Sequence, residues 1–309
     1  MRLRGVVELT HHMKKNTTIV NKINAIIRQA RMPKYLHRFG PKTYTSRQHA
    51  KTWLLKEQLK CSWEDFFDDW ASLFLEKVPE CTTLIKFVQR IPFWLKNKII
   101  SLAAGLEPAE YGSIDSTGMS RSNASEHCLK RIDQDTPSKL PLKLSMYVSK
   151  RRILSFRLRA KWRGDTLDVP YLLDNAQIHA TTNCLDKGYD ANWVHDEFRQ
   201  RGLYSIIPAR KKCRRGRYRK EMRDCFDFCQ YWQRNPSEYN NSSLKRRFGD
   251  FVRSVNFRAQ HSEVAARIIL HNLKAFLKDI FRAAVGFSFV RKVRLCRECH
   301  DAAEAFMAS

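Results

Sequence analysis

Two carboxylates stand four residues apart in CLDKGYDANW (184–193): Asp186 and Asp190, around a Lys-Gly-Tyr centre. Asp and Gly gather in ordinary turns, because Asp bonds its own backbone and Gly tolerates positive φ. A chemical role for either aspartate needs partners elsewhere in the chain. IDSTG (114–118) supplies Asp115 at the end of a short apolar strand, and NPSE (235–238) supplies Glu238 at the start of a helical pattern. In an α/β sheet, reacting groups converge at strand ends, so Asp115 after the first strand and a carboxylate just past the fourth can meet there. Carboxylate oxygens suit hard cations such as Mg²⁺, which keep waters and accept phosphate oxygens as further ligands. A third carboxylate on a nearby helix would complete a two-metal site, with ions about 3.5–4 Å apart serving the attacking and leaving oxygens.

Glu238 falls within a fixed spacing, Tyr231-x2-Arg234-x3-Glu238-x6-Lys245. A step of seven residues returns to within roughly 20° of the same helix face. Glu238 and Lys245 therefore share a face, one suited to a metal and the other to a phosphate. Pro236 constrains the start of that helix, because proline fits the first helical position and not the interior. The spacing predicts Asn235 as N-cap, Pro236 as first residue and Glu238 in the first turn, with Tyr231 and Arg234 before it.

The elements that must hold these residues follow from patterning. LKLSMYVS (142–149) and LSFRLRAKW (154–162) alternate strictly and flank a polar turn at Lys150–Arg152, which predicts a hairpin with one buried face. A helix from about Thr166, a short strand into Asp186, a helix over 191–201 stopped by Gly202 and a strand over 204–208 complete a β-β-β-α-β-α-β order. Strands interleaved with helices imply an α/β layer, and the antiparallel opening makes its sheet mixed. Upstream, 46–110 reads as short helices. Ser46 is the expected N-cap of one, Ser62 with Asp65 forms a capping box for the next, and Pro79, Pro92 and Gly105 are breaks. These helices fit either a helix-turn-helix-like unit or a plain bundle packed on the next domain. The stripe Val264, Ile268, Leu273, Leu277 and Ile280 marks 260–284 as a packing helix.

Composition supplies the partner. The 309 residues carry 57 Lys plus Arg against 31 Asp plus Glu, a net charge of +26, with 43% apolar residues. That balance excludes a disordered chain and points to a polyanion, of which nucleic acid is the usual one. No apolar run reaches a membrane span, and MRLRGVVELTHHMKKN lacks a signal peptide's apolar stretch, so a cytoplasmic, nucleoid-associated location is expected. Residues 1–45 hold ten Lys or Arg and one acid, Glu8, and read as a basic arm. RKKCRRGRYRKEMR (210–223) is a second basic segment, with Arg210, Lys211, Lys212, Arg214, Arg215 and Arg217 as candidate phosphate contacts. Nine scattered cysteines suit a reducing compartment. Cys296, Cys299 and His300 match a haem-attachment pattern, or half a zinc site with Cys225 and Cys229, but a chance match is the reading taken.

The blocks IDSTG, LDKGYD followed by a helix and SIIPAR, and the Tyr-Arg-Glu-Lys spacing together resemble the DDE insertion-sequence transposases over roughly 111–275. The resemblance implies a ribonuclease H-like, retroviral-integrase-type catalytic domain: an α/β fold with a mixed five-stranded sheet flanked by helices. It also implies a helical N-terminal DNA-binding region. Its domain plan is a basic arm at 1–45, a DNA-binding region at 46–110, a catalytic domain at 111–290 and a tail at 291–309. It makes Asp186 the metal ligand, because Asp186 directly precedes Lys-Gly-Tyr, and leaves Asp190 as N-cap of the next helix. By the same resemblance Asp115, Asp186 and Glu238 hold two Mg²⁺ ions, with Mn²⁺ able to substitute. Tyr231, Arg234 and Lys245 grip DNA near the cleaved phosphate. The partners implied are double-stranded DNA, as terminal inverted repeats and target, and a second copy of the chain on paired ends. The alternatives are a DNA-binding protein that has lost catalysis and a metal-dependent nuclease without strand transfer.

Overall fold

The computed structural model describes residues 18–36, 39, 42–75, 77–105, 109–121, 141–211 and 213–284. Lys212, the first part of the basic arm, and Cys296, Cys299 and His300 lie outside them. Five helical stretches come first: α1 (18–29), α2 (Ser46–Leu59), α3 (63–74), α4 (Cys81–Arg90) and α5 (Phe93–Ala104). Phe66–Trp70 within α3 is π-helical. The Ser62–Asp65 capping box forms as expected. The cap of α2 is Thr45, one residue before the expected Ser46. The Thr45 hydroxyl accepts the Gln48 N–H while the Gln48 side chain accepts the Thr45 N–H at 2.8 Å. Two reciprocal bonds satisfy more free N–H groups than one serine could.

A mixed sheet of six strands follows, in the order β3-β2-β1-β4-β5, with β6 beside β1. Its strands are β1 (Ala109–Arg121), β2 (Leu142–Ser149), β3 (Arg152–Arg159), β4 (Ala180–Cys184), β5 (Tyr204–Ile206) and β6 (Phe251–Val252). The β1–β2 and β2–β3 pairs are antiparallel, whereas β1–β4 and β4–β5 are parallel. The five expected strands are present, and β6 adds a parallel pairing at the far end of β1, Ser120 with Phe251 and Arg121 with Val252. Between and after the strands come α6 (Val169–Asp174), α7 (Asn192–Arg199), α8 (Arg217–Asp224), α9 (Phe228–Tyr231), α10 (Asn235–Phe248) and α11 (Phe257–Ala284).

β1 does not end at Asp115, as the apolar run had suggested. It continues to Arg121, because β2 runs alongside it as far as Met119 opposite Leu142, and the Ser116 and Ser145 hydroxyls meet at 2.8 Å. The hairpin is also buried on both faces, not one. Leu142, Leu144, Met146 and Val148 join the larger hydrophobic cluster with Trp53, Leu95, Ile99 and Val264, while Tyr147 faces a second cluster with Leu172, Val194 and Phe198. Each such side chain removed from water contributes about 1.5–3 kcal/mol. Lys143 is covered because its amine pairs with Asp165 at 2.6 Å and donates to the Arg163 carbonyl at 2.7 Å.

The larger cluster runs unbroken from α1 through α2, α4 and α5 to the sheet and α11. α11 is buried on every side from Gln260 to Leu273, which makes it a central helix. Its Asn272 side chain accepts the Ile153 N–H at 2.9 Å and donates to the Ile153 carbonyl at 2.8 Å, so it closes the edge of β3. Ile280, assigned to the packing stripe from the sequence, is exposed, because the helix has passed the core by that point. Among the described residues no helix is long and apolar enough to cross a membrane.

Candidate active site

The β1–β4 register places the two strand aspartates. Ala109 pairs with Ala180, Tyr111 with Thr182 and Gly112 with Asn183, an offset of 71 (180 − 109) throughout. The same offset carried past the end of β4 (115 + 71 = 186) leads from Asp115 to Asp186, two residues beyond the strand. Neighbouring strands lie about 4.8 Å apart. β4 stops at Cys184, and Leu185 still donates its N–H to the Ile206 carbonyl at 3.0 Å, so Asp186 is the first residue released from the sheet. On the same side β1 pairs with β4 before Asp115 and with β6 after it, so Asp115 opens into a gap between two partners. Gly112 makes the close approach possible: a Cβ there would sit 2.7 Å from Asn183 Oδ1 and 2.8 Å from the Tyr147 ring.

α10 crosses the face onto which Asp115 points. Asn241 Nδ2 donates to Asp115 Oδ2 at 2.8 Å, and the Ser116 N–H donates to Oδ1 at 2.8 Å. Burial, first, and the charges of Asp186 and Glu238 push the Asp115 carboxyl above the usual carboxylate range, against the Ser116 N–H and the Arg234 guanidinium. The three carboxylates therefore share one electrostatic neighbourhood. Glu238 is exposed, and Arg234 Nη2 holds its Oε1 at 2.5 Å. Among the described residues, no three acidic, histidine or cysteine side chains stand close enough to share one ion. In chemistry the donors fit a hard divalent cation: all are carboxylates, and their mutual repulsion is what such an ion relieves.

The start of α10 differs from expectation by one residue. Its N-cap is Arg234, with Asn235 and Pro236 in the first turn, because α9 and a 3₁₀ turn over Trp232–Arg234 lead straight into it. Tyr231 and Arg234 thus belong to a helical run continuous with Glu238, and Arg234 reaches Glu238 one turn on. Tyr231 packs against Cys184, Ile206, Met222 and Phe226 behind the β4 end. Burial, and next to it the opposed charges of Arg234 and Asp186, act on its phenol, whose pKa is raised. Lys245 is half-buried further along α10 and pairs with no acidic group among the described residues.

Asp190 does not cap α7. Ala191 occupies that position with no side-chain cap. The Asp190 carboxylate is instead fully buried, accepting Arg219 Nε at 2.7 Å, Arg219 Nη2 at 2.8 Å and the Arg210 N–H at 2.8 Å. Three charge-assisted bonds outweigh a single cap. Burial pushes this carboxyl up, but the Arg219 and Arg210 bonds more than reverse it and hold it below the usual range. The clamp ties the basic segment to the loop that carries Asp186. Of that segment, Arg210, Lys211, Arg214, Arg215 and Arg217 are exposed. Gly216, at φ +96°, lets the chain turn into α8 where a Cβ would meet Asn192 Oδ1 at 2.9 Å.

Sequence reasoning missed two residues here. Asn241 lies three positions after Glu238 and four before Lys245, on the face they share, and helical spacing alone pointed to it. Asp168 is fully buried on the other face of the sheet, bound by Ser145 Oγ at 2.6 Å and Arg159 Nε at 2.5 Å. From it a polar chain runs through Ser145 and Ser116 to the Tyr189 hydroxyl, 3.4 Å from Ser116 Oγ. That chain braces the neighbours of Asp115 and Asp186. Its signal was the alternating row Lys143, Ser145, Arg157 and Arg159.

No family model matches the chain, and no curated protein matches it. Among solved structures it is similar to a piggyBac transposase in a synaptic complex with hairpin DNA. The identity is 12% and the TM-score 0.42, over 93% of this chain and 81% of that one. At that distance no residue can be carried from one chain to the other.

Proposed function

We propose that this chain is a DNA transposase of the DDE type, with a ribonuclease H-like catalytic domain. It cleaves the ends of an insertion sequence and joins the freed 3′-OH to target DNA. The observation that supports the reading is the parallel pairing of β1, which carries Asp115, with β4, which ends two residues before Asp186, together with the bond from Asn241 of α10, the helix bearing Glu238, to Asp115. The charge of +26 and the exposed arginines of the basic segment support a DNA partner. The helices of 46–104 serve as the DNA-binding region, the chain acts as a homodimer on paired ends, and it works on the nucleoid.

Asp115, Asp186 and Glu238 would hold two Mg²⁺ ions. When bound, such a pair lowers the pKa of an attacking hydroxyl and neutralises charge on the leaving oxygen. The chain's own residues bind and orient the DNA. Arg210, Arg214, Arg215 and Arg217 grip backbone phosphates, and the Asp190 clamp fixes that grip relative to Asp186. Lys245 holds a phosphate on the α10 face, and the planar fork of Arg234 suits a second. A phosphate taking Arg234 releases Glu238 toward the aspartates. Two in-line displacements follow at one place. Water cleaves the phosphodiester at the transposon end, leaving a 3′-OH and a 5′-phosphate. The 3′-OH then attacks a target phosphodiester, whose own 3′-oxygen leaves.

A second reading, a DNA-binding protein without catalysis, is favoured by one observation: Glu238 is engaged by Arg234 and not gathered with the aspartates. Incubating the chain with the inverted repeats that flank its own gene, with and without Mg²⁺, and mapping products to the nucleotide separates the readings. Mg²⁺-dependent nicks at the repeat ends are expected. Tight binding with intact DNA at every Mg²⁺ concentration supports the second reading and removes the first.

A further inference from the structure

We propose that Asn241 is a fourth member of the candidate site: a positioning residue that fixes the Asp115 carboxylate and presents its own amide oxygen to a divalent cation bound there. The inference rests on the reading of Asp115 and Asp186 as cation ligands. Asn241 Nδ2 donates to Asp115 Oδ2 at 2.8 Å. With the Ser116 N–H on Oδ1, each carboxylate oxygen has one donor, so the group cannot swing but each oxygen keeps a lone pair. Both donors are neutral, so the carboxylate keeps the charge that a cation needs. An arginine or lysine at 241 would hold the carboxylate equally well and cancel that charge.

The other half of the amide carries the inference further. Asn241 Oδ1 is buried and has no hydrogen-bond partner. The opposite amide orientation would press this oxygen against Asp115 Oδ2, a lone pair against a carboxylate, so the nitrogen must face the aspartate. The two amide atoms share one carbon, so an oxygen without a donor sits beside the atom that grips Asp115. A buried acceptor with no partner is costly to keep. Neutral amide oxygens are regular ligands of hard cations, and a cation held by Asp115 would give this one its partner. Helix geometry agrees, since Glu238, Asn241 and Lys245 line one face of α10. Of the buried atoms without a partner among the described residues, the Asn241 oxygen is the one whose own side chain grips a candidate ligand, whereas the cluster around Asp168 has its partners.

The test is calorimetric binding of Mn²⁺ to the full chain, with melting in EDTA as a control for folding. Wild type, Asn241→Ala, Asn241→Asp and Asp186→Asn are compared. Loss of a ligand-orienting partner typically costs 10–100-fold in metal affinity. Asn241→Ala is expected to weaken Mn²⁺ binding by about tenfold or more on that basis. Asn241→Asp keeps the oxygen and adds a charge, so it should bind Mn²⁺ at least as tightly as wild type while melting lower in EDTA. A residue that merely packs the helix would not give that opposite pair of signs. If Asp186→Asn abolishes binding but both Asn241 variants bind as wild type does, the site stands and the role of Asn241 is overturned. If wild type binds no Mn²⁺, or Asp186→Asn binds normally, the site reading and this inference fall together.

Discussion

Asp186 and Asp190 lie four residues apart and were indistinguishable by composition, yet the fold treats them oppositely. Asp186 is exposed, and its carboxylate accepts only the Gly188 N–H, at 3.5 Å, among the described contacts. Asp190 is buried and holds Arg219 by two bonds and the Arg210 backbone by a third. Asp115 extends the contrast. Its carboxyl is pushed up by burial and by the charges of Asp186 and Glu238, whereas that of Asp190 is held down. Around Asp115 burial outweighs its neighbours, with Arg234 opposing Asp186 and Glu238, whereas around Asp190 the Arg219 and Arg210 bonds outweigh burial. Carboxylates kept at a cost to the metal-free fold mark a site; carboxylates that stabilise it mark scaffolding.

The largest expected effect tests the functional half of that contrast. Asp186→Asn should abolish Mg²⁺-dependent nicking of end DNA and leave both melting and DNA binding near wild type, because the residue is exposed. Nicking by Asp186→Asn at the wild-type rate would remove it from the site. Next is the salt dependence of binding through the segment that Asp190 clamps. If roughly six phosphates are neutralised, affinity should fall by about a thousandfold between 50 and 200 mM salt. A flat titration would remove the phosphate role of 210–217.

The stability half should show opposite signs. Truncating one partner of a buried ion pair costs about 3–5 kcal/mol. Because Arg219 keeps some contact with solvent, Asp190→Ala should cost about 3 kcal/mol in urea unfolding, with Asp190→Asn milder. Functional sites are commonly kept at a cost in stability that removing the strained group relieves. Asp115→Asn should therefore unfold at a higher urea concentration than wild type in EDTA. The pH profiles must diverge in the same way. Asp190, with a depressed folded pKa, contributes stability that is present above its unfolded value of about 4 and lost as pH falls through the folded value. Asp115, with a raised folded pKa, contributes stability present below about pH 4 and lost as pH rises through the folded value. Urea midpoints from pH 3 to 7 in EDTA, compared with each Asn variant, separate the two. The smallest effect belongs to the exposed Arg234–Glu238 pair, where Arg234→Gln should change stability by no more than about 0.5 kcal/mol. A larger loss would mean that Glu238 is scaffolding.

Local signals in the sequence were read well where the cause was local. The hairpin, the Ser62 cap and the stop at Gly105 depend on neighbours within a few residues. So does the order of the strands that carry Asp115 and Asp186. Where the cause was distant, reading failed. Asp190 looked like an N-cap because nothing near it revealed Arg219, 29 residues on. β1 seemed to stop at Asp115 because its next residues are polar, and only pairing with β2 keeps them in the sheet. Lys143 looked solvent-facing because alternation says which residues share a face but not what covers it. At α10 the error was a single residue, since Pro236 tolerates the second helical position as well as the first and a 3₁₀ turn fills the place of a cap.

The central claim is that Asp115 and Asp186 hold a divalent cation where DNA is cut. Diffraction from crystals of the chain with end DNA and Mn²⁺, read by anomalous scattering, tests it most directly. The account predicts a Mn²⁺ peak ligated by Asp115 and Asp186, with Glu238 drawn from Arg234 toward it and a DNA phosphate oxygen among the remaining ligands. DNA seated on the basic segment, with Mn²⁺ absent from these carboxylates or bound only elsewhere, would contradict it.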